Sequence, residues 1–221
     1  MKNIKGTGFL NSVIFDMDGV IVDGMPYHIE SWKKALSTVG ISVTDLEIYL
    51  MEGMTGEETI KELINKKKKS LSDVSIRSVL KLKRKIFNDI FTVKLMKGSK
   101  ELLLELHRLD YLLALVTGTR LEVVKKVLQM GLDNVFKIVI TGEMVSNGKP
   151  NPEPYLKAVN ELGVNKKDCL VVENAPAGIA SAKNAGLTCF AVQTSLPGEY
   201  LKDADKIFQS IDELSAFLIK S

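Results

Sequence analysis

The chain of 221 residues has little cysteine and no long apolar run. Its two cysteines, Cys169 and Cys189, lie inside apolar segments without the spacing of metal ligands. We therefore expect free thiols, no disulfide framework and a reducing compartment. No apolar run approaches the roughly 20 residues of a membrane-spanning helix, and no apolar segment of a signal peptide precedes Asn11. These absences predict a cytoplasmic protein with no membrane partner.

The chain also lacks a strong charge of either sign. Its 30 basic and 27 acidic residues give a formal net charge of +3, too small to indicate a nucleic-acid partner. The densest basic tract, Lys66 to Lys69, contains no aromatic residue, and we interpret it as a solvated helix end. With 45% hydrophobic and 26% charged residues, the composition is that of a globular protein.

Five short apolar runs predict buried parallel strands, because they are continuous rather than alternating. Helix-sized amphipathic segments begin at Thr119, where Glu122 would complete a capping box, at Asn151, and at Ile179. This alternation predicts an α/β fold, a doubly wound parallel sheet with right-handed crossovers. The predicted strands are Ser12 to Phe15, Leu112 to Val116, Ile138 to Thr141, Cys169 to Val172 and Cys189 to Val192.

The interval between the first two strands, nearly a hundred residues, is far longer than a crossover needs. We predict a core domain of residues 1–23 and 95–221 and an inserted helical domain of residues 24–94. Because the insert leaves at the carboxyl end of the first strand, it should lie over the edge where open α/β sheets bind ligands. Its predicted helices are Tyr27 to Val39, Glu57 to Ile64, with a capping box from Thr55 to Glu58, and Ile76 to Phe91.

Two acids, Asp16 and Asp18, follow the first predicted strand. Two residues apart in an extended chain, they project to the same side. Uncompensated carboxylates at this place would repel each other and resist desolvation. A divalent cation resolves both problems, and Mg²⁺ prefers carboxylate, carbonyl and water oxygens. The pattern alone leaves open a second interpretation, in which the acids cap the turn at Gly19.

Three further strand ends carry polar groups. The hydroxyl and amide groups after the second strand lie at a helix N-terminus, a ready phosphate site, although Thr119 could also be a plain N-cap. Nearby prolines restrict the backbone around Lys149. This favours a lysine whose charge is held in a fixed position over a mobile surface lysine. The acid–amide pair after the fourth strand offers two oxygen ligands or forms a polar loop pair. These residues are Thr117, Gly118 and Thr119, then Lys149, then Glu173 and Asn174.

In this order the four segments resemble motifs I to IV of the haloacid dehalogenase superfamily, over nearly the whole chain. The insert is similar to the α-helical cap of the subfamily that contains β-phosphoglucomutase, phosphoglycolate phosphatase and sugar-phosphate phosphatases. The resemblance implies a Mg²⁺-dependent phosphatase of small phosphomonoesters, sugar phosphates or related metabolites, working through an aspartyl-phosphate. A phosphomutase and a non-catalytic binding protein are the alternatives. It implies a small phosphorylated substrate as partner, and we expect a monomer.

The resemblance also implies roles for single residues. Asp16 would attack phosphorus, and Asp18, kept partly protonated, would serve as general acid and then as base. Since Asn174 is neutral where the family most often has an acid, we expect weak Mg²⁺ binding. The implied sites are catalytic Asp16, Asp18, Thr117 and Lys149; substrate-binding Gly118, Thr119, His28 and Lys83; and metal-binding Asp16, Asp18, Glu173 and Asn174.

The insert departs from the resembled pattern at one position. The resemblance to β-phosphoglucomutase implies a phosphate-binding arginine at the position that Gly56 occupies here. Without it, the cap lacks a bidentate clamp for a second phosphate. That departure favours a hydrolase over a mutase. His28 either reaches the active site or is an exposed helix position, and Lys83 loosely matches a lysine of the family's cap. Asp23 is expected to cap the first helix of the insert.

Overall fold

The computed structural model describes residues 2–4 and 8–220. The strands are β1 (Lys2–Ile4), β2 (Gly8–Leu10), β3 (Ser12–Phe15), β4 (Leu112–Val116), β5 (Ile138–Ile140), β6 (Cys169–Glu173), β7 (Thr188–Val192) and β8 (Lys206–Phe208). The helices are α1 (Met25–Ser37), α2 (Asp45–Tyr49), α3 (Gly56–Lys66), α4 (Asp73–Ile90), α5 (Ser99–Arg108), α6 (Leu121–Leu128), α7 (Glu153–Leu162), α8 (Pro176–Asn184) and α9 (Ile211–Lys220).

Within the described residues, six parallel strands form one sheet in the order β5-β4-β3-β6-β7-β8. β1 and β2 pair with each other as a separate antiparallel hairpin. The central strand, β3, is buried on both faces, and its successive residues enter two different cores. Val13 and Phe15 join the apolar cluster on one side, and Ile14 joins the cluster on the other. This double burial explains why the strand reads as a continuous apolar run.

The doubly wound parallel sheet predicted from the sequence is confirmed, and the five predicted strands correspond to β3 to β7. β8 and the helices α2, α5 and α9 were not predicted. Helix α7 ends at Leu162 with Gly163 as its C-cap residue, as expected of a helix that stops at this glycine, but it begins at Glu153 rather than at Asn151. Helix α8 begins at Pro176, three residues before the predicted start. No helix in the described part of the chain combines the length and apolarity needed to cross a bilayer.

The capping box predicted at Thr119 is wrong. Helix α6 begins at Leu121, and its N-cap residue, Arg120, makes no side-chain capping bond. The hydroxyl of Thr119 donates instead to Oδ2 of Asp18 at 2.9 Å, and the Glu122 carboxylate accepts a bond from Asn88 at 3.2 Å. Thr119 and Glu122 therefore bond to residues far away in sequence instead of capping α6.

Helices α1 to α4 form the insert, and their apolar faces pack around a cluster of their own that includes Trp32, Leu36, Ile60 and Leu63. The predicted capping box of α3 is confirmed, because Thr55 and Glu58 bond reciprocally. A second capping box, which the sequence analysis missed, starts α2.

The two connections between the insert and the sheet run side by side. The amide of Asp23 donates to the carbonyl of Lys94 at 2.8 Å, and the amide of Met96 donates to the carbonyl of Ile21 at 2.8 Å. Asp23 does not cap α1, contrary to expectation, since the N-cap residue is Gly24 and no side-chain capping bond forms there. The Asp23 carboxylate pairs with Lys94 at 2.8 Å instead, and so ties the two connections together.

Candidate active site

The carboxyl ends of three adjacent strands place the polar residues beside one another. Asp16 follows β3, Thr117 follows β4, and Glu173 ends β6 with Asn174 immediately after it. Parallel pairing keeps these ends level, since Phe15 lies opposite Leu115 and Val172. The side chains of Asp16, Glu173 and Asn174 are almost fully buried, so their charges and dipoles act in a medium of low dielectric.

Lys149 is the buried cation of the site. Its Nζ donates to Oδ1 of Asp16 at 2.5 Å, to Oε1 of Glu173 at 2.7 Å and to a main-chain carbonyl of β4. Burial alone would lower the pKa of Lys149, but the two carboxylates hold it above its usual range. The hydroxyl of Tyr155 also donates to Glu173, at 2.6 Å. The lysine is therefore charged, and its position is fixed by three acceptors.

Asp16 keeps one oxygen without a partner. Oδ1 is held by Lys149, whereas Oδ2 is buried and has no hydrogen-bond partner among the described residues. Burial raises the pKa of Asp16 to about 7, an effect that Lys149 reduces and Glu173 increases. A positive charge bound at Oδ2 would lower that pKa and keep the carboxylate ionised.

Asp18 lies between the core and the insert. Its Oδ2 accepts a bond from Thr119, and its Oδ1 is 3.4 Å from Nε2 of His28. Burial alone would raise the pKa of Asp18, but His28 and Thr119 lower it below its usual value. The expectation that Asp18 is kept partly protonated is therefore wrong for this arrangement, because its neighbours stabilise the charged form.

His28 and Lys83, which the sequence left as uncertain site residues, lie together at the site. Nζ of Lys83 is 2.9 Å from Nδ1 of His28, and the imidazole packs on Phe87 with ring centroids 4.4 Å apart. Burial, followed by the charge of Lys83, lowers the pKa of His28. A neutral imidazole that accepts from Lys83 at Nδ1 carries its proton on Nε2, toward Asp18.

The segment between α2 and α3 lies directly over the strand ends. A Cβ atom on Gly118 would be 2.7 Å from the carbonyl oxygens of both Gly53 and Met54, so only glycine permits this approach. One residue earlier in this segment, the buried Glu52 accepts a hydrogen bond from Asn174 at 2.9 Å. Glu52 was not predicted as a site residue, because no local sequence pattern indicates a contact between residues 122 positions apart.

Helix α3 also contacts the loop that holds the lysine. Oε1 of Glu58 accepts a bond from the amide of Gly148 at 2.6 Å, while Oε2 caps its own helix through Thr55. Gly148 immediately precedes Lys149. One carboxylate of the insert therefore joins a helix N-terminus to the lysine loop.

A cavity of about 850 Å³ separates the insert from the strand ends. Polar groups of Asp18, His28, Lys83 and Thr119 line it, and the insert adds an apolar wall. That wall contains Met25, Trp32, Ile48, Met51 and Leu80. Gly118 also lines the cavity. The space fits a small molecule that reaches Asp18, whereas Asp16 and Lys149 are not among the residues that line it.

Comparison with known protein families identifies a match over most of the chain. Residues 13–192 match the family described as haloacid dehalogenase-like hydrolase. The chain belongs to this family. The matched range runs from β3 to β7 and includes the whole insert. It therefore contains every site residue described above.

Curated and solved relatives resemble nearly all of the chain. A validoxylamine A 7'-phosphate phosphatase of Streptomyces hygroscopicus subsp. limoneus is 27% identical over 207 residues, 91% of this chain and 94% of the relative. A phosphorylated carbohydrates phosphatase of Thermotoga maritima is 31% identical over 182 residues, 80% of this chain and 82% of the relative. A solved structure from Bacteroides vulgatus, provisionally described as a β-phosphoglucomutase, is 32% identical with a TM-score of 0.86 and covers 94% of this chain and 86% of its own.

Haloacid dehalogenase-like hydrolases generally use Mg²⁺, and the buried oxygens of this site fit such an ion. Oδ2 of Asp16, Oδ1 of Asp18 and Oδ1 of Asn174 are buried without hydrogen-bond partners among the described residues. Unpaired oxygens of this kind are costly to bury and are the ligands that Mg²⁺ prefers. No three histidine, cysteine or acidic side chains among the described residues group as metal ligands. The donor set must therefore include the Asn174 amide, main-chain carbonyls or water.

Proposed function

We propose that this haloacid dehalogenase-like protein is a Mg²⁺-dependent phosphatase that hydrolyses small phosphorylated metabolites through a phosphoryl group carried on Asp16. The environment of Asp16 is the observation that carries this proposal. The carboxylate is buried at a strand end, one oxygen is held by Lys149, and the other has no partner. With a divalent cation bound beside it, such a carboxylate is ionised and can attack phosphorus.

The chemistry follows from the neighbours of Asp16. Its carboxylate attacks phosphorus and the ester oxygen departs, so the phosphoryl group moves onto Asp16. Lys149 and the hydroxyl of Thr117 neutralise charge on the phosphoryl oxygens, with the amide of Gly118 as a further donor. Water then attacks the same phosphorus, releasing inorganic phosphate and restoring the carboxylate.

Asp18 transfers the protons of both steps in this proposal. Its ionised form suits the second step, where it accepts a proton from the attacking water. For the first step, the leaving oxygen needs a proton. The chain from Lys83 through His28 to Asp18, with contacts of 2.9 and 3.4 Å, is a route by which that proton reaches Asp18.

The ion would be held by the side chains of Asp16 and Asn174, with Asp18 contributing from the same turn. Glu173 is less suited to direct ligation, because both of its oxygens already accept hydrogen bonds. Oε1 accepts from Lys149 and Tyr155, and Oε2 accepts from the main-chain amide of Asn174. When bound, Mg²⁺ supplies positive charge at the phosphoryl oxygens and at the nucleophile.

We further propose that residues 24–94 form a cap domain that moves relative to a core of residues 1–23 and 95–221. The paired connections at Asp23–Lys94 are the natural hinge. Opening would admit substrate to the cavity, and closure would bring His28 and Lys83 over it. We expect the chain to act as a monomer without a nucleic-acid partner, which size-exclusion chromatography and a nucleic-acid binding assay would test.

The substrate class that the known relatives support best is a phosphorylated carbohydrate or a related metabolite. Two relatives described above are phosphatases of such compounds. A β-phosphoglucomutase activity is the second candidate, favoured by the likeness to the Bacteroides vulgatus structure. Gly56, at the start of α3 and lining the cavity, offers no positive charge for a second phosphate and favours hydrolysis.

A phosphate-release screen tests the proposal. Purified protein is incubated with sugar phosphates, phosphoglycolate and nucleotides, with Mg²⁺ or with chelator, and a coupled assay with β-glucose 1-phosphate detects mutase activity. We expect Mg²⁺-dependent phosphate release that Asp16→Asn abolishes. Turnover of β-glucose 1-phosphate to glucose 6-phosphate without phosphate release would favour the mutase, and no turnover of any compound would favour a binding protein.

A further inference from the structure

Glu52 is a buried acid of the insert to which the proposed reaction gives no part. Its side chain is 4% exposed, and Oε1 accepts a hydrogen bond from Nδ2 of Asn174 at 2.9 Å. We propose that Glu52 is a positioning residue of the ion site, which orients the amide of Asn174 and supplies the negative charge that an asparagine lacks. This inference rests on the proposed metal-dependent function.

Glu52 fixes the orientation of the Asn174 side-chain amide. Nδ2 of Asn174 donates to Glu52 and to the hydroxyl of Ser195, both at 2.9 Å. An ionised Glu52 carboxylate can only accept hydrogen bonds, so it holds the amide nitrogen, rather than the amide oxygen, toward itself. The amide oxygen is then turned away from Glu52, and it is buried without a partner among the described residues. Glu52 thus selects which end of the amide is presented as a ligand.

The charge of Glu52 is not balanced by a basic side chain among the described residues. The hydrogen bonds of Lys149 go to Asp16, Glu173 and a main-chain carbonyl. Glu52 forms no ion pair in the part of the chain that the structure describes, and its Oε2 is buried without a partner. A buried carboxylate without a counter-charge is costly. A divalent cation beside Asn174 would supply the missing charge.

The turn that follows Asp18 packs against Glu52 and Asn174. Gly19 has a φ of +79°, and a Cβ atom there would collide with Nδ2 of Asn174 and come within 2.7 Å of Oε1 of Glu52. The pair formed by Glu52 and Asn174 therefore lies directly against the turn of the two catalytic acids. Glycine at this position leaves the space that the pair occupies.

One consequence links the ion to the insert. Glu52 belongs to the insert and Asn174 to the sheet, so their contact exists only when the two are closed together. An ion stabilised by this contact must in turn stabilise the closed arrangement by the same free energy, because such coupling is reciprocal.

Metal binding without substrate tests the proposal. The probe is Mn²⁺, whose free form is followed by electron paramagnetic resonance during titration of the full chain. Glu52→Gln removes the charge, and Glu62→Gln, at an exposed position of α3, removes the same charge elsewhere on the insert. Residues that orient a metal ligand typically contribute about 10- to 100-fold to affinity, so we expect Glu52→Gln to weaken Mn²⁺ binding by at least about tenfold. Glu62→Gln should match wild type.

Moving the charge provides a second arm. Adding Asn174→Asp to Glu52→Gln returns a negative charge to the site, and we expect Mn²⁺ affinity to recover. In the wild-type background, Asn174→Asp sets two carboxylates against each other and removes the amide donor, so it should give little gain or a loss. Should Glu52→Gln fail to fold by circular dichroism, Glu52→Met fills a similar buried volume without the charge and takes its place.

The outcomes separate this inference from the proposed function. Equal Mn²⁺ affinities of the Glu52 and Glu62 variants would overturn the role of Glu52, and so would a double variant as weak as Glu52→Gln alone. If wild-type protein binds no Mn²⁺ and hydrolyses phosphate esters in chelator, the metal-dependent function itself fails.

Discussion

The contact between Glu58 and Gly148 should set how firmly the insert closes on the lysine loop. The carboxylate bridges two elements, since Oε2 caps α3 and Oε1 accepts from the amide of Gly148 at 2.6 Å. Glu58→Gln leaves one oxygen and one amide nitrogen for these two positions. If the oxygen keeps the cap, the nitrogen faces the amide of Gly148, and two donors oppose each other.

The size of the effect follows from the loss of that acceptor. Leaving a buried amide unpaired costs about 1–3 kcal/mol, and Gly148 is buried. This cost falls on the closed arrangement, and each 1.4 kcal/mol is about tenfold in an equilibrium constant. We therefore expect kcat/KM of Glu58→Gln to fall by about 5- to 100-fold. The Tm should change little, because the helix cap is kept.

Steady-state phosphate release provides the measurement, with Glu62→Gln as the matched control. Glu62 is exposed on the same helix and is not among the residues that line the cavity, so its change removes the same charge without touching Gly148 or substrate. Equal kcat/KM values for the two variants would refute the role of the Glu58 contact. A large fall in Tm for Glu58→Gln would show that helix capping, rather than closure, had been lost.

Three other perturbations test separate parts of the site. Burial lowers the pKa of Lys83 to about 8, so its charge is lost as pH rises through 8 and kcat/KM should fall there. Lys83→Arg stays protonated and should keep kcat/KM constant to higher pH. Gly118→Ala should hold the insert open, since the added carbon would lie 2.7 Å from two carbonyl oxygens, and we expect kcat/KM to fall at least about tenfold at unchanged Tm. The control is Gly56→Ala, whose added carbon meets only the flexible Leu80 side chain and whose kcat/KM should stay near wild type. His28→Ala should change the ranking of substrates, while Lys149→Ala should depress all of them alike, and a wild-type ranking for the His28 variant would mean that the imidazole does not face substrate.

The sequence predicted the sheet well because each buried strand is a local signal. β3 to β7 are continuous apolar runs, and an apolar run is recognisable without its neighbours. β8 begins with a lysine and contains only two apolar residues, so it forms no apolar run of the kind that marks the other strands. The polar residues at the carboxyl ends of these strands follow directly from the strand positions, so their clustering at one edge of the sheet was also predictable.

Long-range contacts explain the predictions that were wrong. Thr119 and Asp23 both have side chains suited to helix capping, yet each is used by a distant partner, Asp18 in one case and Lys94 in the other. Glu52 escaped notice for the same reason, since its partner Asn174 lies on the other side of the interface between insert and sheet. Local propensity indicates what a polar side chain can do, and tertiary contacts decide which of these options it takes.

The central claim, that Asp16 carries the phosphoryl group, is tested most directly by trapping the intermediate. Protein turning over a good substrate is quenched in acid and digested, and the peptide that contains Asp16 is examined by mass spectrometry. The account predicts a mass increase of one phosphoryl group on Asp16, which is absent in the Asp16→Asn variant and after prolonged incubation without substrate. A phosphoryl group on another residue, or undiminished phosphate release by Asp16→Asn, would contradict it.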